Sequence, residues 1–474
     1  MAEPMQRIIL DGVEFSKVFH GHKLLGSCTA ALQPGRMVIA LLMVTLVVTF
    51  GRIWDAVAAP TVAPAGLGAG RWSPDDAAGH QGSLRQAMMR FALDSDRPAD
   101  GEAWPTLHPA RVLEQIHTGY RMRRGTGGED VAAIDAEFRE TARWIRERSP
   151  LGTYEATAAR VRGGFAVMIR GAMALSPPAV LDGLSALVVR LPLDLWRHDR
   201  VFTLVLGLVA LLAYVVGGGA LARMAACQFA SGLRLGMDEA IDFALVHWIR
   251  LGIAVMLPVL TAALLAGVIA AMGALMLAPI LDVLGGFLYG LALLLGFVLA
   301  FVIVGYAAGF GMVLPAVACE NCDGADAMQK AYAYVYQRPL HLLGYLVVAF
   351  VGLVLGYLVV SLFAAVMLGS TAMLFGWSGH AALDTAADLS WLNLELRETE
   401  PWNESLGADL VVFWQSLVIT LVAAFVISHL CDVFTRLFML MRRTCDDQAI
   451  EEIWWQSMTP GTIAARAPDD AEAP

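Results

Sequence analysis

Long uninterrupted stretches of apolar residues dominate the chain, and they predict membrane-spanning helices. A bilayer core of about 30 Å requires roughly 20 apolar residues in an α-helix. Stretches free of Asp, Glu, Lys and Arg meet this requirement repeatedly along the sequence, except that the first, 37–51, is shorter and spans only if the flanking Arg36 and Arg52 extend to the membrane surface. We therefore predict an all-α polytopic membrane protein with about six spans, at 37–58, 201–222, 251–275, 284–308, 342–368 and 410–432.

One apolar stretch, 283–319, is too long for a single upright span, because as one helix it would measure about 55 Å. Glycine and proline both weaken helices. We therefore expect Gly309, Gly311 and Pro315 to end the fourth span near the membrane surface.

Basic residues are distributed unevenly between the two sets of connections. Lys and Arg occur in the N-terminal segment, in the connections 223–250 and 309–340, and after the last span. The turn 276–283 has none, and 370–408 has only Arg397. The positive-inside rule then places both termini in the cytoplasm. The predicted organisation is a cytoplasmic segment 1–36, an extracytoplasmic helical domain 59–200, a membrane core 201–441 and an acidic cytoplasmic tail 442–474.

The domain 59–200 begins with a segment rich in Pro, Gly and Ala, 59–72, which predicts a linker. Apolar residues then recur at helical spacing, and they include Ile134, Phe138 and Ile145. The segment 154–175 predicts a basic amphipathic helix, which either lies on the membrane surface or packs within the domain.

An internal repeat is suggested ahead of the third and fifth spans. In each copy Gly is followed by Asp two residues later, an aromatic residue at +12 and Arg at +14. These residues are Gly236, Asp238, Trp248 and Arg250 in the first copy, and Gly324, Asp326, Tyr336 and Arg338 in the second. We expect two cytoplasmic amphipathic surface helices in a parallel repeat, as some transporters have.

Glycines spaced four residues apart predict close helix packing within the spans. The pairs are Gly286 with Gly290, Gly305 with Gly309, and Gly352 with Gly356. Because glycine has no side chain, such a pair lets two backbones approach closely. We expect at least one pair to do so.

The amino-acid composition argues against two classes of protein, ordinary soluble proteins and nucleic-acid-binding proteins. Of the 474 residues, 57% are hydrophobic and 16% are charged, and the net charge is −10. A soluble chain averages about 25% charged residues, and a nucleic-acid-binding chain carries an excess of positive charge. The expected partners are therefore the lipid bilayer and other proteins of a membrane complex, and not nucleic acid.

No motif in the sequence predicts catalysis, a cofactor or a metal. Cys319 and Cys322 form a C-x-x-C pair, but structural zinc sites need further ligands, and we interpret both as free thiols. His20, His22 and Cys28 lie near one another in the sequence, which is not enough for a metal site. We expect no catalytic, cofactor-binding or metal-binding residues, and we predict that the protein is not an enzyme.

Ionisable residues inside a membrane are functional candidates by default, and the middles of the last five spans contain none. This argues against an ion-coupled pump. The candidate polar cavity consists of Thr261, Ser361, Gln415 and Thr420. A second candidate is the pair His429 and Asp432 at the cytoplasmic end of the last span.

Three functions fit these observations. The leading hypothesis is a non-catalytic scaffold, assembly or lipid-organising component of a membrane complex. The alternative is a small-solute transporter or export permease that works with a separate energy source. A lipid-modifying membrane enzyme would require His429 and Asp432 to meet other polar groups in a pocket at the cytoplasmic leaflet.

Residues 218–244 and 314–339, with the Gln-Pro-Gly-Arg sequence 33–36, resemble a pattern found in uncharacterised polytopic membrane proteins of planctomycete-type bacteria. The general plan is also loosely similar to YciC-like membrane proteins and to the membrane domain attached to some glycerophosphodiester phosphodiesterases. The resemblance implies a bacterial inner-membrane location. It implies no activity, and no site residue follows from it.

The topology is testable with reporter fusions. We expect a fusion at Gly127 or Gly379 to report export, and a fusion at Gly324 to report the cytoplasm, because of the distribution of basic residues. Alkaline phosphatase and green fluorescent protein fusions measure the two outcomes. A cytoplasmic signal at Gly127 would reverse the orientation.

Overall fold

The chain is all-helical in the computed structural model. The described residues are 21–58, 60–69, 72, 74–91, 112, 115–116, 118–120, 122–123, 131–275, 281–376, 406–456 and 458–465. The principal helices are α1 (His22–Leu25), α2 (Ser27–Ala31), α3 (Pro34–Val57), α4 (Pro74–Phe91), α5 (Val131–Arg148), α6 (Thr153–Met173), α7 (Pro177–Ser185), α8 (Leu191–His198), α9 (Arg200–Ala213), α10 (Gly219–Ser231), α11 (Met237–Val246), α12 (Trp248–Ala274), α13 (Leu281–Glu320), α14 (Gly324–Gln337), α15 (Pro339–Gly376) and α16 (Leu406–Asp446). Turns of π-helix join α7 to α8 at Ala186–Arg190 and α9 to α10 at Tyr214–Gly218.

Six helical segments are long and apolar enough to cross a membrane, which confirms a multi-pass architecture. They are Pro34–Val57, Arg200–Ser231, Trp248–Ala274, Gly285–Glu320, Pro339–Thr371 and Phe413–Asp446. In the most apolar window of the fourth segment no residue is buried inside the protein. Phe287 and Phe297 there are 84% and 72% exposed, which is the surface expected to face lipid.

The fourth span differs from the prediction, because α13 does not end at Gly309, Gly311 or Pro315. It continues through all three to Glu320, a length of about 60 Å. The C-terminal quarter, from Gly311 to Glu320, is buried, so packing contacts offset the hydrogen bond that Pro315 removes. Gly311 also leaves room for the ring of Phe434, which would collide with any side chain at that position.

The chain divides into two compact units. The first comprises 1–43, 211–357 and 423–474, and the second comprises 44–210 and 358–422. In the first unit the core consists of α10, the C-terminal quarter of α13 and residues 433–442 of α16. Alanine and glycine are frequent in α10, from Gly219 to Ala226, and their small volume lets the neighbouring helices approach.

Helices α11 and α14 occupy the two segments for which surface helices were predicted, and each connects two segments that are long and apolar enough to span a membrane. α14 packs along α13, because Gly305 and Gly309 face Tyr332 and Val335 of α14. The hydroxyl of Tyr332 donates a hydrogen bond of 2.7 Å to the Val302 carbonyl. The expectation of a close-packing glycine pair is thus met by Gly305 and Gly309.

The other glycine pairs differ from each other. Gly352 faces Leu25, and Gly356 faces Cys28 and Phe425, so this pair also packs within the first unit. A Cβ atom built at Gly286 or Gly290 would meet nothing within 4 Å among the described residues.

In the second unit, the end of the first span is bound to the start of α6. Both carboxylate oxygens of Asp55 accept main-chain hydrogen bonds, from Tyr154 at 2.9 Å and Glu155 at 2.8 Å. Asp55 therefore acts as the cap that the N-terminus of α6 requires, although it belongs to α3. The ring of Tyr154 lies directly against Gly51, where a side chain would not fit.

The segment predicted as a linker is instead packed where it is described. Val62 and Leu151 exchange two main-chain hydrogen bonds of 3.2 and 2.9 Å. The side chains of Val62 and Leu67 are buried in a cluster with Phe202, so two apolar residues among the prolines and glycines hold the segment in place. The composition rule failed because it disregarded these two residues.

Two further helices of the second unit follow their sequence patterns. Ile134, Phe138 and Ile145 are buried along one face of α5, where they pack with residues of α4. α6 packs against α7 through buried Gly171 and Gly183. The helix predicted over 154–175 thus packs within the unit.

A pair of glycine substitutions in α13 tests the packing of α14. We expect Gly305→Leu to lower the free energy of unfolding by about 1–3 kcal/mol, because a Cβ atom there would lie 2.5 Å from a ring carbon of Tyr332. Gly290→Leu, in the same helix but with open space around it, is the matched control. Thermal unfolding in detergent measures both, and equal losses would contradict the packing.

Candidate functional site

Asp432 is the centre of a buried group of charges in the first unit. Its side chain is 1% exposed and lies between two arginines. Nη1 of Arg36 donates to Oδ1, and Nε of Arg436 donates to Oδ2 at 2.7 Å. Nη2 of Arg36 also donates to Oε1 of Gln228 at 2.6 Å. We call Arg36, Gln228, Asp432 and Arg436 the Asp432 cluster.

Three helices supply this cluster. Arg36 lies in the first turn of α3, Gln228 lies near the end of α10, and Asp432 and Arg436 are one turn apart on α16. The cluster holds two positive charges and one negative charge. The excess positive charge is stabilised at Arg436. Its guanidinium donates a hydrogen bond of 3.1 Å to the Lys23 carbonyl and lies 4.8 Å from the centre of the Phe229 ring.

His429, the other member of the predicted pair, turns towards Cys28. Nε2 of the imidazole lies 3.9 Å from the Cys28 sulfur, and the ring stacks on Phe425. The thiol also donates to the Gly352 carbonyl at 3.5 Å. Burial raises the pKa of the Cys28 thiol, so it carries its proton at neutral pH. The predicted pair thus meets other polar groups, and Nδ1 of His429 is buried without a hydrogen-bond partner among the described residues.

A second buried group attaches the C-terminal segment. Arg442 has no exposed side-chain surface and donates to Oε1 of Glu320 at 3.5 Å. It also donates to the carbonyls of Ala449, at 3.1 Å, and Glu452. Lys330 pairs with the other oxygen of Glu320. A single buried carboxylate therefore serves two cations, as in the Asp432 cluster.

Arg223 binds the same C-terminal segment from α10. It donates to the carbonyls of Ala318, at 2.9 Å, and Trp454, at 3.0 Å. Its guanidinium lies 5.2 and 5.4 Å from the ring centres of Phe243 and Trp454. Arg223 thereby joins α10, α11, α13 and the C-terminal segment.

Three of the four predicted polar cavity residues form hydrogen bonds within their own helices. The hydroxyls of Thr261, Ser361 and Thr420 donate to carbonyls three or four residues earlier, at 2.8, 3.2 and 2.7 Å. Gln415 is half-buried on α16. Thr261 belongs to the first unit and the other three to the second, so each is described only within its own unit.

The cysteine motif is enclosed in the core. Cys319 is fully buried, and Cys322 is 6% exposed. Burial raises the pKa of the Cys322 thiol to about 12, so it is protonated at neutral pH. Among the described residues no three His, Cys, Asp or Glu side chains are placed to hold a metal ion. His20 lies outside the described residues.

Sequence reasoning identified Asp432 and His429 but not the residues that enclose them. By sequence, Arg36 is the last residue of the predicted N-terminal segment, and Arg223 is the first residue of the basic connection 223–250. A detectable signal was their position, because each lies at or inside the boundary of a long helix and not in a loop. The pairing itself is not detectable locally, since Arg36 and Asp432 are 396 residues apart.

The chemistry of the two groups is that of closed ion pairs. Each carboxylate binds two cations, whereas Nε of Arg36 and Nε of Arg442 are buried without a hydrogen-bond partner among the described residues. Comparisons of the chain with protein-family models, curated proteins and solved structures find no match. The interpretation of the site therefore depends on these contacts alone.

Neutralising Asp432 tests whether the cluster holds the helices together. We expect Asp432→Asn to lower the free energy of unfolding by about 3 kcal/mol, because two buried guanidinium groups lose their counter-charge. Asp242→Asn, at an exposed position of α11, is the matched control. Denaturant titration in detergent is the measurement.

A double variant distinguishes charge from packing. Adding Arg36→Met to Asp432→Asn removes one of the uncompensated cations, so the double variant should be more stable than Asp432→Asn alone. Additive losses would contradict an electrostatic origin.

Proposed function

We propose that the protein is a non-catalytic component of a bacterial inner membrane that organises or assembles a membrane complex, with both termini in the cytoplasm. The observation that carries this proposal is the pairing of its two buried carboxylates, each with two cations. The buried charged side chains of Arg36, Asp432, Glu320 and Arg442 bind one another or main-chain carbonyls.

A transporter needs polar groups whose partners exchange during a cycle. Substrate or ion binding must compete with whatever those groups contact beforehand, and tightly enclosed charges are costly to separate. Asp432 binds two guanidinium groups and is almost wholly removed from solvent. It fits a permanent structural role better than an exchanging one.

Surfaces available for assembly lie along the spans. Apolar side chains of α13 between Phe287 and Phe301 face outwards, and Gly286 and Gly290 present backbone without obstruction among the described residues. Such surfaces suit lipid or other transmembrane helices. A spanning segment, a short helix and a second spanning segment follow one another in α9–α12 and again in α13–α15, which supports the proposed repeat.

Reconstitution separates this function from a permease. We expect small neutral solutes to leave proteoliposomes that contain the purified chain no faster than they leave empty vesicles, because the buried carboxylates already bind cations of the protein. Stopped-flow light scattering measures the efflux. Accelerated efflux that Thr261→Ala or Gln415→Ala alters would overturn the proposal in favour of transport.

Crosslinking in intact membranes before solubilisation provides the positive result. Reproducible crosslinks at defined residues to the same membrane proteins, recovered in constant ratio to the chain, are the expected outcome. Recovery of only monomeric chain would contradict an assembly role.

A further inference from the structure

A stripe of exposed apolar side chains runs along α7 and α8 in the second unit. It comprises Leu181, Leu184, Val188, Val189, Leu193 and Trp196, each between 44% and 63% exposed. The spacing is helical, three or four residues at each step, except between Val188 and Val189. That step falls within the π-helical turn Ala186–Arg190, which adds one residue and keeps the stripe on one side. We call these six residues the apolar stripe.

The opposite side of the same segment is fixed to the protein. A Cβ atom at Gly183 would lie 2.7 Å from the main-chain nitrogen of Met168, so α7 and α6 are in backbone contact. Farther along, Leu195 of α8 is buried in the cluster with Val62 and Phe202. The direction of the apolar stripe is therefore set by rigid packing and not by a mobile loop.

The same cluster places the segment at the ends of two spans. Phe202 lies in the first turn of the second span, and its ring contacts Trp54, near the end of the first span, at 5.3 Å. Only Asp199 separates α8 from α9. Because a spanning helix enters the bilayer at its end, a segment bound to two such ends lies at the level of the membrane boundary.

The polar residues beside the apolar stripe fit this level. Arg190, Arg197 and Arg200 are exposed, and the guanidinium of Arg200 lies 5.9 Å from the ring centre of Trp196. Tryptophan and arginine are both favoured at the headgroup region, where a ring meets the acyl boundary and a cation meets phosphate. Asp182 is neutralised by Arg190.

We propose that residues 177–198 form an in-plane membrane segment, and that the apolar stripe is covered by lipid. The leaflet is the one in which the first span ends and the second begins. In-plane helices bury an apolar face about 5–10 Å into the boundary between headgroups and acyl chains. This inference does not depend on whether the protein organises a complex or transports a solute.

Spin labels at single cysteines test the depth of the apolar stripe. The labels are placed at Leu184 and Val188, and at Asp182 and Arg197 as matched controls, in a chain whose six native cysteines are replaced. In proteoliposomes each label is characterised by the ratio of its collisions with oxygen to its collisions with a water-soluble nickel chelate. We expect this ratio to be several-fold higher at the stripe positions than at the controls. All four positions are exposed, so the labels should not disturb the core.

Two results would overturn the proposal. Nickel accessibility at Leu184 and Val188 equal to that at Arg197 would place the apolar stripe in water. Protection from both reagents would show that protein covers it, whether a second copy of the chain or another partner.

A second measurement applies if the cysteine-free chain does not fold. Benzoylphenylalanine at Leu184 or Val188 of the native chain should form lipid adducts on irradiation, whereas the same residue at Arg197 should form far fewer. Mass spectrometry identifies the adducts, and protein adducts in their place would reject lipid as the occupant.

Discussion

Burying a charged side chain is costly unless other polar groups replace its hydration. In the first unit, the arrangement of the helices around Asp432 depends on this constraint. The Asp432 carboxylate accepts hydrogen bonds from Arg36, at the start of the first span, and from Arg436, one turn farther along α16. Any arrangement of these helices that separated them would leave ions unpaired in an apolar interior. Apolar helix faces alone would pack in several relative positions. We expect the free-energy cost of separating these charges to favour the one position in which they are paired.

In the second unit, the groups that need polar partners are main-chain amides, and a side chain caps them. The N-terminal amides of a helix need acceptors, and Asp55 supplies them to α6 from the end of another helix. Because that acceptor is offered by a spanning helix, the position of α6 follows from the position of the span. The close contacts at Gly51 and Gly152 then leave little freedom in the junction.

Sequence patterns predicted the features that depend on local chemistry. Apolar length alone indicated six spanning helices, and periodicity placed Ile134, Phe138 and Ile145 on a buried face. Prediction failed where distant contacts decide the outcome. Pro315 lies inside α13 because packing in the surrounding core offsets the hydrogen bond that proline cannot form. The residues of that core come from segments remote in the sequence. Val62 likewise finds its partner in Leu151, far along the chain. His429 and Asp432 were identifiable as polar residues after an apolar stretch, but their partners were not.

The attachment of the C-terminal segment has a consequence for how the sequence can vary. Amides of Trp454 and Gly461 cap the carbonyls of Cys319 and Glu320 at the end of α13. Arginines of the first unit bind carbonyls of the same segment, at Ala449 and Trp454. These backbone contacts do not depend on which side chains the segment carries, so sequence variation is restricted mainly where a side chain is itself buried, as at Ile453 and Trp454, or where a positive φ favours glycine, as at Gly461. Proline at 454 or 461, which has no amide hydrogen to donate, is the change that such variation must avoid.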